Sequence, residues 1–225
     1  MKMLNVRPAF KIHEREKLDI PIGYQEIACH MIFDVKLGGN FRRKARLVGS
    51  GHTTKVPYCI TYSSVVSCDS VRIALTVAAL NVLDILAYDI QNAYLTAKFR
   101  EKIWTVAGKE FGHEAGRIMI VQMTLYVLKS SGAEFRDKLA GVLHYLDYVS
   151  TMANPDVWIK PAVKLDGSQY YDMVLCYVDE VLAISHKPME TVEGIKGVFK
   201  LKGNKADPPK MYLGTALQKF DTSNG

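Results

Sequence analysis

Residues 173–185 read MVLCYVDEVLAIS, an apolar run broken at its centre by two adjacent carboxylates, Asp179 and Glu180. Aliphatic and aromatic side chains on both sides of the pair predict two buried strands joined by a tight turn. Unpaired carboxylates are costly to bury, so these two must meet solvent or a cation. In isolation an Asp-Glu pair at this place reads as a polar hairpin turn. Asp89 changes the balance, because it too sits in a strand-like apolar stretch, VLDILAYDIQNAYL at 82–95.

Outward from these two segments, the chain alternates strand and helix signals. YQEIACHMIFDVKL (24–37) runs into the turn signal Gly38-Gly39-Asn40, and FRRKARLV (41–48) follows as a basic return strand. Ser67 and Asp69 are placed to cap a helix carrying Val71, Ile73, Ala74, Val77 and Ala78 at helical spacing, with Asn81 at its end. KIWTVAG (102–108) and MIVQMTLYVL (119–128) read as strands about a Gly112–Gly116 turn. Phe135, Leu139, Val142, Leu143 and Leu146 mark an amphipathic helix from Ser131 to Tyr148. A strand at VWIKPAV (157–163), an Asp166-Gly167 turn, the acidic hairpin, a helix near Met189 to Phe199 and a strand MYLGTALQKF (211–220) complete the pattern. This order predicts an α+β fold, a split βαβ antiparallel sheet backed by helices.

Composition sets the outer bounds. The 225 residues are 48% apolar, enough for a real core, with 29 Lys and Arg against 23 Asp and Glu, a formal charge of +6. The basic residues gather at Arg42, Arg43, Lys44 and Arg46 and again over 196–210, a field that suits a polyanion such as nucleic acid. Cys29, Cys59, Cys68 and Cys176 form no C-x-x-C pair, so neither a zinc site nor a disulfide framework is signalled, and a reducing compartment is expected. No apolar run reaches membrane-span length, and no membrane partner is expected. The opening residues lack a clear domain start and residues 222–225 look like a frayed end, features expected of a fragment.

In a split βαβ sheet the first core strand and the later central hairpin are neighbours, so Asp89, Asp179 and Glu180 are expected to converge. Converging carboxylates suit magnesium, which takes hard oxygen ligands and commonly bridges one or two carboxylates to substrate phosphates. Two such ions, about 3.5–4 Å apart, activate a hydroxyl nucleophile and stabilise the leaving oxygen of an in-line displacement. Nucleotidyl transfer is the reaction class that follows.

DIQNAYL (89–95) resembles the motif around the first catalytic aspartate of reverse transcriptases, and YVDE (177–180) resembles their Y-x-D-D box. KARLV, ITYSSVV, EKIW, LYVLKSSGAEF, NPDVW and MYLG fall in the order of copia-type retrotransposon polymerases, a resemblance over residues 24 to 220. The resemblance implies an RNA-directed DNA polymerase core of fingers and palm. It places the fingers mostly at 24–66 and 100–128 and the palm mostly at 67–99 and 129–220, after an extension at 1–23 and before a tail at 221–225. It implies Asp89 as ligand to two Mg2+ ions (Mn2+ as substitute), Asp179 and Glu180 as hairpin ligands and Ile90 as a carbonyl ligand. Lys44 and Arg46 would grip the incoming triphosphate, Tyr94 would exclude a ribose 2′-hydroxyl, and Lys129 to Gly132 would lie beneath nucleotide and template. Leu213-Gly214 falls where the family places its primer-positioning strand. Implied partners are an RNA template, a DNA primer, deoxynucleoside triphosphates and the thumb, ribonuclease H and integrase segments of a polyprotein; the implied setting is the cytoplasm or a virus-like particle.

The chain departs from that pattern in three places. Glu180 stands for the second hairpin aspartate, Val127 for the glycine of an LYGLK pattern, and the chain ends soon after the primer-positioning segment. A weakened polymerase and a catalytically dead nucleic-acid-binding remnant are both compatible with these changes. An RNA-recognition module on the same sheet would need exposed aromatic residues where this chain carries acids.

Overall fold

The computed structural model describes residues 9–13, 20, 22–36 and 41–219. It is a mixed α+β protein. The strands in chain order are β1 (Phe10–His13), β2 (Gln25–Glu26), β3 (Cys29–Lys36), β4 (Arg42–Gly49), β5 (Asp84–Asp89), β6 (Ile103–Val106) and β7 (Ile118–Val121). They continue with β8 (Val149–Ser150), β9 (Val157–Val163), β10 (Gln169–Tyr177), β11 (Glu180–Ser185), β12 (Met211–Tyr212) and β13 (Thr215–Ala216). The helices are α1 (Cys68–Leu80), α2 (Ser131–Tyr145) and α3 (Pro188–Lys196). Among the described residues no helix is long and apolar enough to cross a membrane.

The chain divides into two compact units, residues 1–63 with 92–138, and 64–91 with 139–225. In the first, a four-stranded sheet has the order β1-β7-β6-β2, and β3 pairs with β4 as a separate two-stranded hairpin. Cys29 lies opposite Gly49 and Lys36 opposite Arg42, the pairing predicted from the sequence, while its turn at 37–40 lies outside the described residues. Ile27, Leu47, Ile103, Met119, Val121 and Leu125 form the core of this unit.

The second unit is built on a five-stranded, wholly antiparallel sheet of order β5-β11-β10-β9-β8. Val174, Leu175, Val181, Leu182, Ala183 and Ile184 are fully buried, so the two central strands are covered on both faces. This is why their sequence is apolar without alternation. Val71, Ala74 and Ala78 of α1 pack in one cluster with Leu175, Leu182 and Ile184. Pro161 sits in β9 beyond the two residues that β8 covers, at an edge position where a missing N–H costs nothing.

Two expected elements come out differently. MIVQMTLYVL forms a strand only as far as Val121, after which the chain turns toward α2. MYLGTALQKF is not one strand: β12 and β13 pair with each other across Leu213-Gly214, whose φ angles of 47° and 78° make a two-residue turn. Positive φ at both turn positions suits a two-residue hairpin turn, and the glycine at the second takes it without strain.

Ser67 is the N-cap of α1, in extended conformation, and its side chain accepts a hydrogen bond from the Ser70 N–H. Ser67→Ala is expected to lower the stability of the protein by about 1 kcal/mol in urea unfolding, while Ser67→Asp, which restores the acceptor, holds it near the parent. Val127 has φ +74°, and its carbonyl lies where any Cβ on Gly51 would be, at 2.2 Å. A β-branched residue in the left-handed region is strained, and Val127 is 63% exposed, so little packing offsets that strain. Val127→Gly is expected to raise the urea midpoint, by the equivalent of about 1 kcal/mol.

Candidate active site

The site is built by strand register. In the sheet of the second unit, Ile85 lies opposite Ile184 and Ala87 opposite Leu182; the next pair on the same face is Asp89 opposite Glu180. An apolar ladder thus ends in two carboxylates side by side. Tyr177 pairs with Glu180 on the other side of β11, which leaves Val178 and Asp179 as the two-residue loop of the hairpin. Val178 has φ +53°, a conformation that this kind of loop usually assigns to glycine, asparagine or aspartate. The backbone therefore holds strain at the loop that carries Asp179.

The loop is tied to the strand beside it. The Ile90 N–H donates to the Asp179 carbonyl at 2.8 Å, so the residue after Asp89 and the tip of the hairpin are fixed to each other. Asp179 is half-buried, Glu180 exposed, and Ile90 buried. Burial pushes the Tyr88 and Tyr212 hydroxyls well above the usual tyrosine range, and the negative charge of Glu180 adds to the shift at Tyr212. Both phenols stay protonated through the neutral range.

Like charges directly opposite on paired strands repel. The Lys202 ammonium meets this pair, in an ion pair with Asp89 Oδ2. Nothing in the sequence marked Lys202 apart from the other lysines of 196–210, which read together as a diffuse basic field. Only the fold brings this one to Asp89.

Among the described residues no group of three or more Asp, Glu, His or Cys side chains is set to hold a metal ion. Magnesium does not require such a cage, because it is commonly held by one or two carboxylates with water and substrate phosphate completing its shell. The adjacent Asp89 and Glu180, with Asp179 on the loop beside them, are hard oxygen donors of that kind.

Of the other residues singled out from the sequence, Lys44, Arg46, Tyr94 and Lys129 lie in the first unit and Leu213-Gly214 in the second. Arg46 and Tyr94 line one cavity of about 440 Å3, together with Tyr126, Val127, Ser131 and Gly132. Tyr94 is half-buried, edge-on to Tyr126 at 5.0 Å and to Phe135 at 6.2 Å between ring centres. Lys44 is exposed on β4, opposite Asp34, and does not line the cavity. Lys129 also points elsewhere: its ammonium donates to the Thr54 carbonyl at 2.6 Å. Tyr126 was not distinguished by sequence, where it read as one more residue of an apolar strand.

A family model described as reverse transcriptase (RNA-dependent DNA polymerase) matches residues 14–222. The chain is 25% identical over 215 residues to the retrovirus-related Pol polyprotein from transposon TNT 1-94 of Nicotiana tabacum, covering 92% of this chain. It is 24% identical over 206 residues to the corresponding polyprotein from transposon RE1 of Arabidopsis thaliana, covering 87% of this chain. It spans 16% and 14% of the lengths of these two relatives. With a match over nearly its whole length and relatives of this kind, the chain belongs to the reverse transcriptase family, as a domain of the copia type.

Proposed function

We propose that this domain is an RNA-directed DNA polymerase core, with the second unit serving as the palm and the first as the fingers. The observation that carries this reading is the register that sets Asp89 against Glu180, with Asp179 on the adjoining loop. Asp89, Asp179 and Glu180, with the Ile90 carbonyl, would hold magnesium. Bound there, magnesium supplies Lewis-acid activation of a primer 3′-hydroxyl and charge neutralisation at the leaving pyrophosphate.

The chain's own residues then have separate tasks. The Ile90 to Asp179 hydrogen bond keeps the hairpin tip and the end of β5 at a fixed spacing, so that ligands from two strands move as one body. Arg46 offers a guanidinium fork to phosphate oxygens at the wall of the cavity it shares with Tyr94, and Lys44 offers a mobile point charge on the same strand. The Tyr94 ring, held edge-on by Tyr126 and Phe135, presents a rigid surface against which a 2′-hydroxyl would clash. RNA template, DNA primer and deoxynucleoside triphosphates are the substrates, and the remaining segments of a polyprotein the physical partners.

A second reading, that the domain binds nucleic acid without turnover, draws on Val127 and Glu180. The valine is strained and lies on the cavity wall, and the glutamate carries its carboxylate about a bond length farther than aspartate. A misplacement of about 1 Å near reacting atoms costs on the order of a hundredfold in rate.

Magnesium-dependent extension of a DNA primer on an RNA template separates the two. Extension by the parent, with loss of at least about a hundredfold in Asp89→Ala, is the result expected of the polymerase. Equal extension by both proteins removes the assigned site. Salt-sensitive primer-template binding with no extension by either supports the second reading. Where the parent extends, Tyr94→Ala is expected to raise ribonucleotide incorporation relative to deoxyribonucleotide, read in parallel reactions with each triphosphate.

A further inference from the structure

The outer edge of β5 is not bare. Ala87 exchanges two backbone hydrogen bonds with Asp207, at 2.8 and 3.1 Å, and the Gln91 N–H donates to the Lys200 carbonyl at 2.8 Å, beside a bridge between Ile90 and Leu201. The segment 200–207 is therefore stitched to β5 on both sides of Asp89, and its middle arches over that residue. Leu201 is buried, which fixes the backbone from which Lys202 projects. Gly203 and Asn204 follow with φ of 69° and 55°, turning the chain back toward Asp207. The last lysine of the arch, Lys205, is paired at 2.5 Å with Asp207. The arch is thus wired to deliver one ammonium, that of Lys202, to Asp89.

From this geometry we propose that Lys202 is a built-in competitor for the cation site. Its ammonium occupies the Asp89 carboxylate that would serve a divalent ion, so Lys202 would have to yield that carboxylate for metal to bind. The exchange is possible because the Lys202 side chain is 58% exposed and can swing into water, while its backbone stays tethered. While in place, Lys202 offsets the repulsion between Asp89 and Glu180 and holds the end of β5 against the hairpin. When displaced, it remains beside the site as a mobile positive charge. The inference rests on the reading of Asp89 and Glu180 as metal ligands, and it adds a regulatory contact to that site.

The test uses the whole chain and measures binding of Mg2+ by titration calorimetry, and of Mn2+ by the loss of its free electron-paramagnetic signal. The proteins compared are the parent, Lys202→Met, Lys202→Arg and Lys205→Met. Removal of Lys202's charge is expected to tighten binding about three- to fivefold, the range set by a partly exposed ion pair. Lys202→Met is also expected to lower the melting temperature in chelator, with a larger gain on adding metal than the parent shows. Lys202→Arg and Lys205→Met should both match the parent, the first because it keeps the competing charge and the second because it removes a charge that does not touch Asp89. If Lys202→Met binds metal with the parent's affinity or more weakly, the competitor role is overturned and the metal site stands. If Lys202→Met and Lys205→Met tighten binding equally, the effect is general field and the specific contact is likewise overturned. If no protein binds either ion, the reading of the metal site fails, and this inference with it.

Discussion

The pairing of β5 with β11 is the constraint on which the rest of this molecule depends. A side-chain period of two means that a slip of one residue would carry Asp89 and Glu180 to opposite faces and put the apolar partners of α1 in their place. The register is pinned from both directions. Ile85, Leu182 and Ile184 pack in the α1 cluster, and the Ile90 to Asp179 hydrogen bond closes the far end. Hydrophobic burial along the ladder, worth about 25 cal/mol per Å2 of apolar surface removed from water, stabilises the very alignment that forces two like charges together. The site is in this sense a by-product that the core holds in place.

Much of this was readable in the chain. The apolar run around YVDE, unbroken except at its centre, determined a buried hairpin, and Ser67 with the spacing of Val71, Ala74 and Ala78 determined α1 down to its cap. These features are local: a strand buried on both faces has no choice of pattern, and an N-cap needs only a side-chain acceptor three residues before an N–H. Asp89 stood out for the same reason, as a carboxylate where strand burial tolerates none.

What sequence could not supply was non-local or depended on φ. MYLGTALQKF has the composition of a strand, yet with no neighbour to complete a ladder it folds on itself about Leu213-Gly214. Lys202 and Lys205 are indistinguishable as letters; one reaches Asp89 and the other Asp207 because the segment is tied to β5 at Ala87 and Ile90. Tyr126 read as continuation of a strand, whereas the chain has already left the sheet there; Val127 beside it, standing where the LYGLK pattern has glycine, is left-handed as that glycine position suggested. Lys129, read as lying beneath a nucleotide, has its ammonium on the Thr54 carbonyl, a contact across 75 positions of sequence.

The segment that arches over Asp89 has one more consequence. An exposed strand edge is a template for a second chain, since its free N–H and C=O groups invite pairing with any extended segment that drifts past. Here one border of the sheet is covered by residues 200–207 at Ala87 and just past β5 at Ile90 and Gln91, and at the other β8 spans two residues while β9 carries Pro161 where that cover ends. Blunt borders of this kind leave little open ladder for a foreign strand to join, so the same stretch of chain that brings Lys202 to Asp89 also serves as an edge cover for the sheet.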